Sequence, residues 1–216
     1  MSAPDTPARN AARRPVRVKV CGITSVADAV VAEAAGADAV GMIFAPGSKR
    51  RVTPETAADI CSALGPFVAR IGVFVDADVA EVVGLARGLR LTGVQLHGGE
   101  SAAYAREVAK ATRVVRALPY APGLVPADVA DYGADAVLLD AATPGSGLAF
   151  AWEAAAPAWR AWPRLVLAGG LTPDNVSAAI GALRPYAVDV ASGVETRPGV
   201  KDPEAVRAFV SAAKDA

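Results

Sequence analysis

Eight times along this chain a short run of aliphatic residues gives way to a longer stretch with helical spacing. The runs fall at 16–21, 39–44, 67–75, 93–96, 113–118, 135–139, 164–168 and 187–190. Helical stretches follow at 25–35, 53–64, 77–89, 100–110, 125–132 and 150–158, then after the cap-like Thr172–Asn175, and from Asp202-Pro203 to about 214. A strand that alternates with a helix in this way calls for parallel strands joined by crossover helices. Eight units without a break predict an α/β chain folded as one (β/α)8 TIM barrel rather than an open doubly wound sheet. No G-x-G-x-x-G follows the first strand, which also counts against a dinucleotide-binding open sheet.

Caps support the reading. Ser25 and Thr53 stand where side-chain oxygens cap helices, Pro54 and Pro203 suit first helical positions, and Asp28 adds negative charge near a helix start. At 216 residues, 53% of them hydrophobic, the chain suits one domain with a sizeable core. Lys+Arg and Asp+Glu both number 22, so nothing in the charge balance points to nucleic acid or an acidic membrane. No apolar run is long enough to span a bilayer. Residues 1–14 hold Pro, Ala and Arg without an apolar segment; they read as a disordered tail before a barrel domain at 15–216, and a cytoplasmic setting is expected. Cys21 and Cys61 form neither a disulfide framework nor a metal-ligand pattern. Cys61 reads as a small buried apolar residue.

A barrel brings all its strand ends to one face, where ligands bind. The ends here carry Cys21, His97, Asp140, Gly169-Gly170 and Ser192-Gly193, and the loop after the second strand carries Arg50. Each residue has a bland and a chemical reading. Cys21 is a core thiol, or a base made thiolate by nearby positive charge from Arg50 or a helix terminus. Asp140 is a surface cap, or an acid whose pKa is raised by partial burial at the mouth. His97, the sole histidine, is structural or touches ligand. Arg50 is solvated or pairs with a carboxylate, for which a guanidinium is suited. The glycines of the last two loops are tight turns, or let backbone N–H groups approach a phosphate. Lys49 and Arg51 read as solvent-facing. The Gly145-Ser146-Gly147 loop is no P-loop, since no Gly-Lys-Ser/Thr follows.

Together, KVCGIT, GADAVGMIFAPGSKR, IGVFVD, VQLHGGE, VLLDAATPGSG, LAGGLTPDNV and VDVASGVETRPGVKD resemble the phosphoribosylanthranilate isomerases of tryptophan biosynthesis, in order from about 16 to 209. The resemblance implies a cofactor-free Amadori rearrangement of a phosphorylated small molecule, N-(5'-phosphoribosyl)anthranilate. It implies that Cys21 is the general base and Asp140 the general acid. It implies that Arg50 meets the anthranilate carboxylate, that His97 lines the anthranilate side, and that Gly169, Gly170, Ser192 and Gly193 seat the phosphate, with Asp189 near the same end. The chain departs from the family pattern at Leu148–Ala151 and at Arg51, where an aromatic is usual. That departure keeps open an alternative, a catalytically inactive barrel that binds a phosphorylated ligand as a regulator.

Overall fold

The structure, a computed structural model, describes residues 15–141 and 152–216. The expected tail at 1–14, the Gly145–Gly147 loop and the divergent Leu148–Ala151 segment lie outside the described residues. The strands are β1 (Arg17–Cys21), β2 (Ala39–Ile43), β3 (Ala69–Phe74), β4 (Gly93–Leu96), β5 (Arg113–Pro119), β6 (Ala136–Asp140), β7 (Leu165–Leu167) and β8 (Ala187–Val190). Between and after them come α1 (Val26–Ala34), α2 (Pro54–Ala63), α3 (Val79–Gly88), α4 (Ala102–Ala109), α5 (Trp152–Trp159), α6 (Val176–Leu183) and α7 (Pro203–Lys214). All eight strands pair in parallel in chain order, and β1 closes the ring on β8. No helix among the described residues is long and apolar enough to cross a membrane.

The barrel has two cores, because each strand is covered on both faces. The larger lies between strands and helices and contains Val18, Val20, Val40, Met42, Leu139, Val188 and Phe209. The smaller fills the lumen with Ala117, Leu138, Val166, Ala168 and Ala187. Side chains alternate along a strand, so residues two apart share a face. Val18 and Val20 therefore pack outward against helices, while Lys19 and Cys21 look into the barrel. Of the two charged residues in VRVKV, Lys19 is turned into the lumen, while Arg17 at the strand's start stays exposed over the Tyr186 ring.

Several caps form as the residues predict. Ser25 Oγ accepts from Asp28 N–H (3.1 Å), Thr53 Oγ1 from Thr56 N–H (3.2 Å), and Asp202 Oδ1 from Glu204 N–H (2.9 Å), ahead of Pro203. Three local expectations are corrected, and one feature is added. The 125–132 stretch is a 3-10 helix (Pro126–Tyr132), not an α-helix. Phe67 is 97% exposed and precedes β3 instead of entering it. Thr172–Asn175 does not cap α6 with a side chain: Asn175 turns back, accepting from Thr172 N–H (2.8 Å) and donating to Gly170 C=O (2.9 Å), so it stitches the loop after β7. The segment after β8 holds a short antiparallel hairpin, β9 (Glu195–Arg197) with β10 (Val200–Lys201), that alternation could not reveal.

Candidate active site

The C-terminal mouth of the barrel opens on a cavity of about 270 Å³. Cys21, Arg50, His97, Asp140, Gly169, Gly170, Asp189, Ser192 and Gly193 all line it, together with Gln95. The nine residues singled out in the sequence thus share one space. Cys61 does not belong to it; it lies half-buried on α2, its Sγ 4.0 Å from Met42 Sδ.

Cys21 ends β1 and is buried. A Cβ at Gly41 on the neighbouring β2 would stand 2.7 Å from Cys21 Sγ and 3.0 Å from Lys19 Nζ. The thiol and the ammonium therefore lie side by side over that glycine. Lys19 Nζ donates to both oxygens of Asp189 (2.9 Å each) across the seam where β1 meets β8, and across the lumen to Gln95 Oε1 of β4 (3.1 Å). Burial alone would pull the Lys19 ammonium down, yet Asp189 and Cys21 more than offset it and hold it protonated. Burial pushes the Asp189 carboxyl up, and Lys19 pulls it back. Burial also pushes the Cys21 thiol up; Lys19 and Lys201 oppose this but do not win. The cation nearest the thiol is thus Lys19, with Lys201 behind it, and Arg50 also feels its charge.

Asp140 ends β6 on the same face as Ala136 and Leu138. Its Oδ1 accepts from Ala141 N–H (2.7 Å), and its Oδ2 stands 3.4 Å from His97 Nε2. The Gln95 amide donates to His97 Nδ1 at 3.0 Å, which assigns the ring proton to Nε2, beside Asp140. No aligned acceptor takes that buried Nε2 among the described residues. Arg116 steadies the loop that carries His97: it donates to Leu96 C=O (3.0 Å) and Gly98 C=O (2.8 Å) and pairs with Glu100 (2.6 Å). Glu100 in turn accepts from the N–H groups of Gly98 and Asp76.

Arg50 leans over Gly22, where an added Cβ would come within 2.5 Å of its Cδ. Gly22 also has φ +73°, so both space and backbone require glycine after Cys21. Arg50 does not lie free in its loop. Its Nε and Nη2 donate to the two oxygens of Glu195 (2.8 and 2.7 Å). The loops after β7 and β8 abut so closely that a Cβ on Gly193 would fall 1.9 Å from Leu171 O. Sequence reasoning missed Lys19, Gln95, Glu195 and Lys201. Lys19 and Gln95 were legible in principle, since they sit two residues before Cys21 and His97 on the same strand faces. Nothing local pointed to Glu195 or Lys201.

The arrangement combines a thiol, a carboxyl group and a tethered guanidinium around one cavity, with glycine-lined backbone at one end. The model of the N-(5'-phosphoribosyl)anthranilate (PRA) isomerase family matches residues 18–212. This chain belongs to that family. It is 47% identical over 206 residues to the N-(5'-phosphoribosyl)anthranilate isomerase of Trichlorobacter lovleyi, covering 93% of this chain and 99% of the relative. The crystal structure of the phosphoribosyl anthranilate isomerase from Thermus thermophilus superposes with a TM-score of 0.86 at 48% identity, over 91% of this chain and 98% of that one. A third relative, a phosphoribosyl anthranilate isomerase in complex with reduced 1-(o-carboxyphenylamino)-1-deoxyribulose 5-phosphate, has a TM-score of 0.83 at 40% identity, over 93% of this chain and 100% of that one.

Proposed function

We propose that this isomerase carries out the family's Amadori rearrangement at the mouth of its barrel, with Asp140 as general acid and Cys21 as general base. Asp140 Oδ2, the oxygen not engaged by Ala141 N–H, delivers a proton to the ribose ring oxygen of N-(5'-phosphoribosyl)anthranilate. The C1'–O bond breaks as the amine lone pair forms a C1'=N iminium. Cys21, as thiolate, takes the proton from C2', and the resulting enolamine tautomerises to the ketone. Only protons move, so the step balances without a redox partner or cofactor. Arg50 holds the anthranilate carboxylate and His97 borders the ring. The phosphate rests on backbone at Gly169, Gly170, Ser192 and Gly193, as the N–H groups of barrel loops after strands seven and eight commonly allow. Asp189 acts behind them through Lys19. A reducing compartment, the cytoplasm, keeps the thiol free for this work.

The observation that carries this reading is that Cys21 and Asp140, from β1 and β6, line one cavity with the two glycine loops. The test is turnover of freshly prepared phosphoribosylanthranilate, followed by loss of its fluorescence. Cys21→Ser and Asp140→Asn should each lose about 10²–10⁴ in rate, the usual scale of one proton-transfer group, while still binding inorganic phosphate. Near-normal turnover in both variants would refute the assignment.

A further inference from the structure

Arg50 reaches the cavity with half of its guanidinium already engaged. A guanidinium has five N–H donors and two edges that suit a carboxylate, one formed by Nε and Nη2 and one by Nη1 and Nη2. Glu195 occupies the first edge: Nε donates at 2.8 and 3.1 Å and Nη2 at 2.7 Å. Among the described residues no acceptor is bound to Nη1, and Arg50 lines the cavity. The second edge is therefore available to an anion there. The Glu195 side chain is only 3% exposed and is itself fixed. Its Oε1 accepts from Lys201 Nζ at 2.9 Å and from Gly199 N–H at 3.3 Å.

Lys201 matters for charge as well as geometry. Its side chain is fully buried. Its Nζ meets three acceptors: Glu195 Oε1, Cys21 C=O at 2.6 Å and Ala191 C=O at 3.1 Å. Three acceptors match the three donors of an ammonium, so the amine is charged. An isolated Arg–Glu pair would be neutral and a poor attractor for a carboxylate. With Lys201 the cluster sums to one positive charge, and Arg50 is the member that reaches the cavity.

We propose that Glu195 is a positioning residue for carboxylate recognition: it grips Arg50 by one edge so that the other edge faces the substrate, while Lys201 offsets its charge and anchors the grip to the strand ends that carry Cys21 and Ala191. This rests on the reading of Arg50 as the partner of the anthranilate carboxylate. Positioning and plain electrostatics predict opposite results for Glu195→Gln. That variant adds one positive charge to the cluster, so a purely electrostatic role would tighten carboxylate binding. A positioning role weakens it, because a glutamine has one acceptor oxygen and turns an N–H₂ toward the guanidinium.

The experiment compares two substrates made from ribose 5-phosphate, one with anthranilate and one with aniline, which lacks the carboxylate. In Glu195→Gln the ratio of kcat/KM for the carboxylated over the carboxylate-free substrate should fall about tenfold to a hundredfold, mainly through KM, the scale of a lost charged hydrogen-bond pair. Inhibition by free anthranilate should weaken in step, with inhibition by inorganic phosphate unchanged. If Glu195→Gln does not fold, Glu195→Asp, too short to span both nitrogens, should show the same change. Equal losses on both substrates, or a ratio that rises, would overturn the proposal while leaving the isomerase reading intact. An unaltered protein that turns over neither substrate would instead overturn that reading, and this proposal with it.

Discussion

At the scale of single residues, the thiol of Cys21 sets how the site responds to pH. Burial raises it above the ordinary thiol range, and Lys19 and Lys201 limit the rise. The groups that face it are Lys19 from its own strand, Asp189 from β8, Lys201 from β10 and Arg50 from the loop after β2. A base works only when deprotonated, so a raised value moves the ascending limb of the rate profile to higher pH. The rate of alkylation of Cys21 by iodoacetamide should therefore rise with pH and level off above the pH at which a free thiol does. Lys19→Met should move that midpoint higher still, because it deletes the nearest cation and leaves burial unopposed there. A midpoint that fell would show that Lys19 does not act on the thiol. The same variant strands a buried Asp189 carboxylate, and breaking such a pair costs about 3–5 kcal/mol, so the titration is made well below its unfolding temperature.

At the scale of elements, the loops after β7 and β8 act as one seat because their backbones touch. Leu171 O fills the space a Gly193 side chain would need, at 1.9 Å from its would-be Cβ. Gly193→Ala should pry the two loops apart and misalign the N–H groups that would hold a phosphate. The expected result is at least about a tenfold rise in both KM and the inhibition constant of inorganic phosphate, the worth of one or two hydrogen bonds to a charged group. Phosphate inhibition at parental strength would refute the shared seat. The periodic parts of these elements were legible in the residues: the eight strands, the order of the helices and the caps at Ser25, Thr53 and Asp202 all follow from local rules. The candidate site was legible only where it sits at a strand end. Arg50 was visible but its partner was not, since Glu195 lies 145 residues away and no local spacing encodes that pairing. Lys19 was missed for a related reason. Alternation identifies two faces of a strand, but only closure of the ring decides that the one bearing Lys19 looks inward. Asn175 departs from capping chemistry because its amide serves the Gly170 turn instead.

At the scale of the whole molecule, everything depends on closing the ring between chain segments 170 residues apart. The seam pairs Lys19 with Asp189 in register, and their side chains form the buried ion pair that faces the cavity. Such a pair gives register more readily than net stability, since two charges must leave water to form it. The stability of the seam must then come from apolar burial behind it. That burial is supplied by α7, which packs on β1, α1 and α6. Val206, Phe209, Val210 and Ala213, spaced three, one and three apart, form its buried stripe, and Phe209 is completely enclosed. Phe209→Ala would leave a cavity against the strand that carries Cys21 and should cost about 3–5 kcal/mol, a large part of the roughly 5–15 kcal/mol a domain has. Urea unfolding should show a lower midpoint with an unchanged slope, because the surface exposed on unfolding is the same. Phe209→Leu, which keeps most of the volume, should recover much of the loss. A cost below about 1 kcal/mol for Phe209→Ala would mean that the ring closes without α7 and that the strand pairing itself holds the seam.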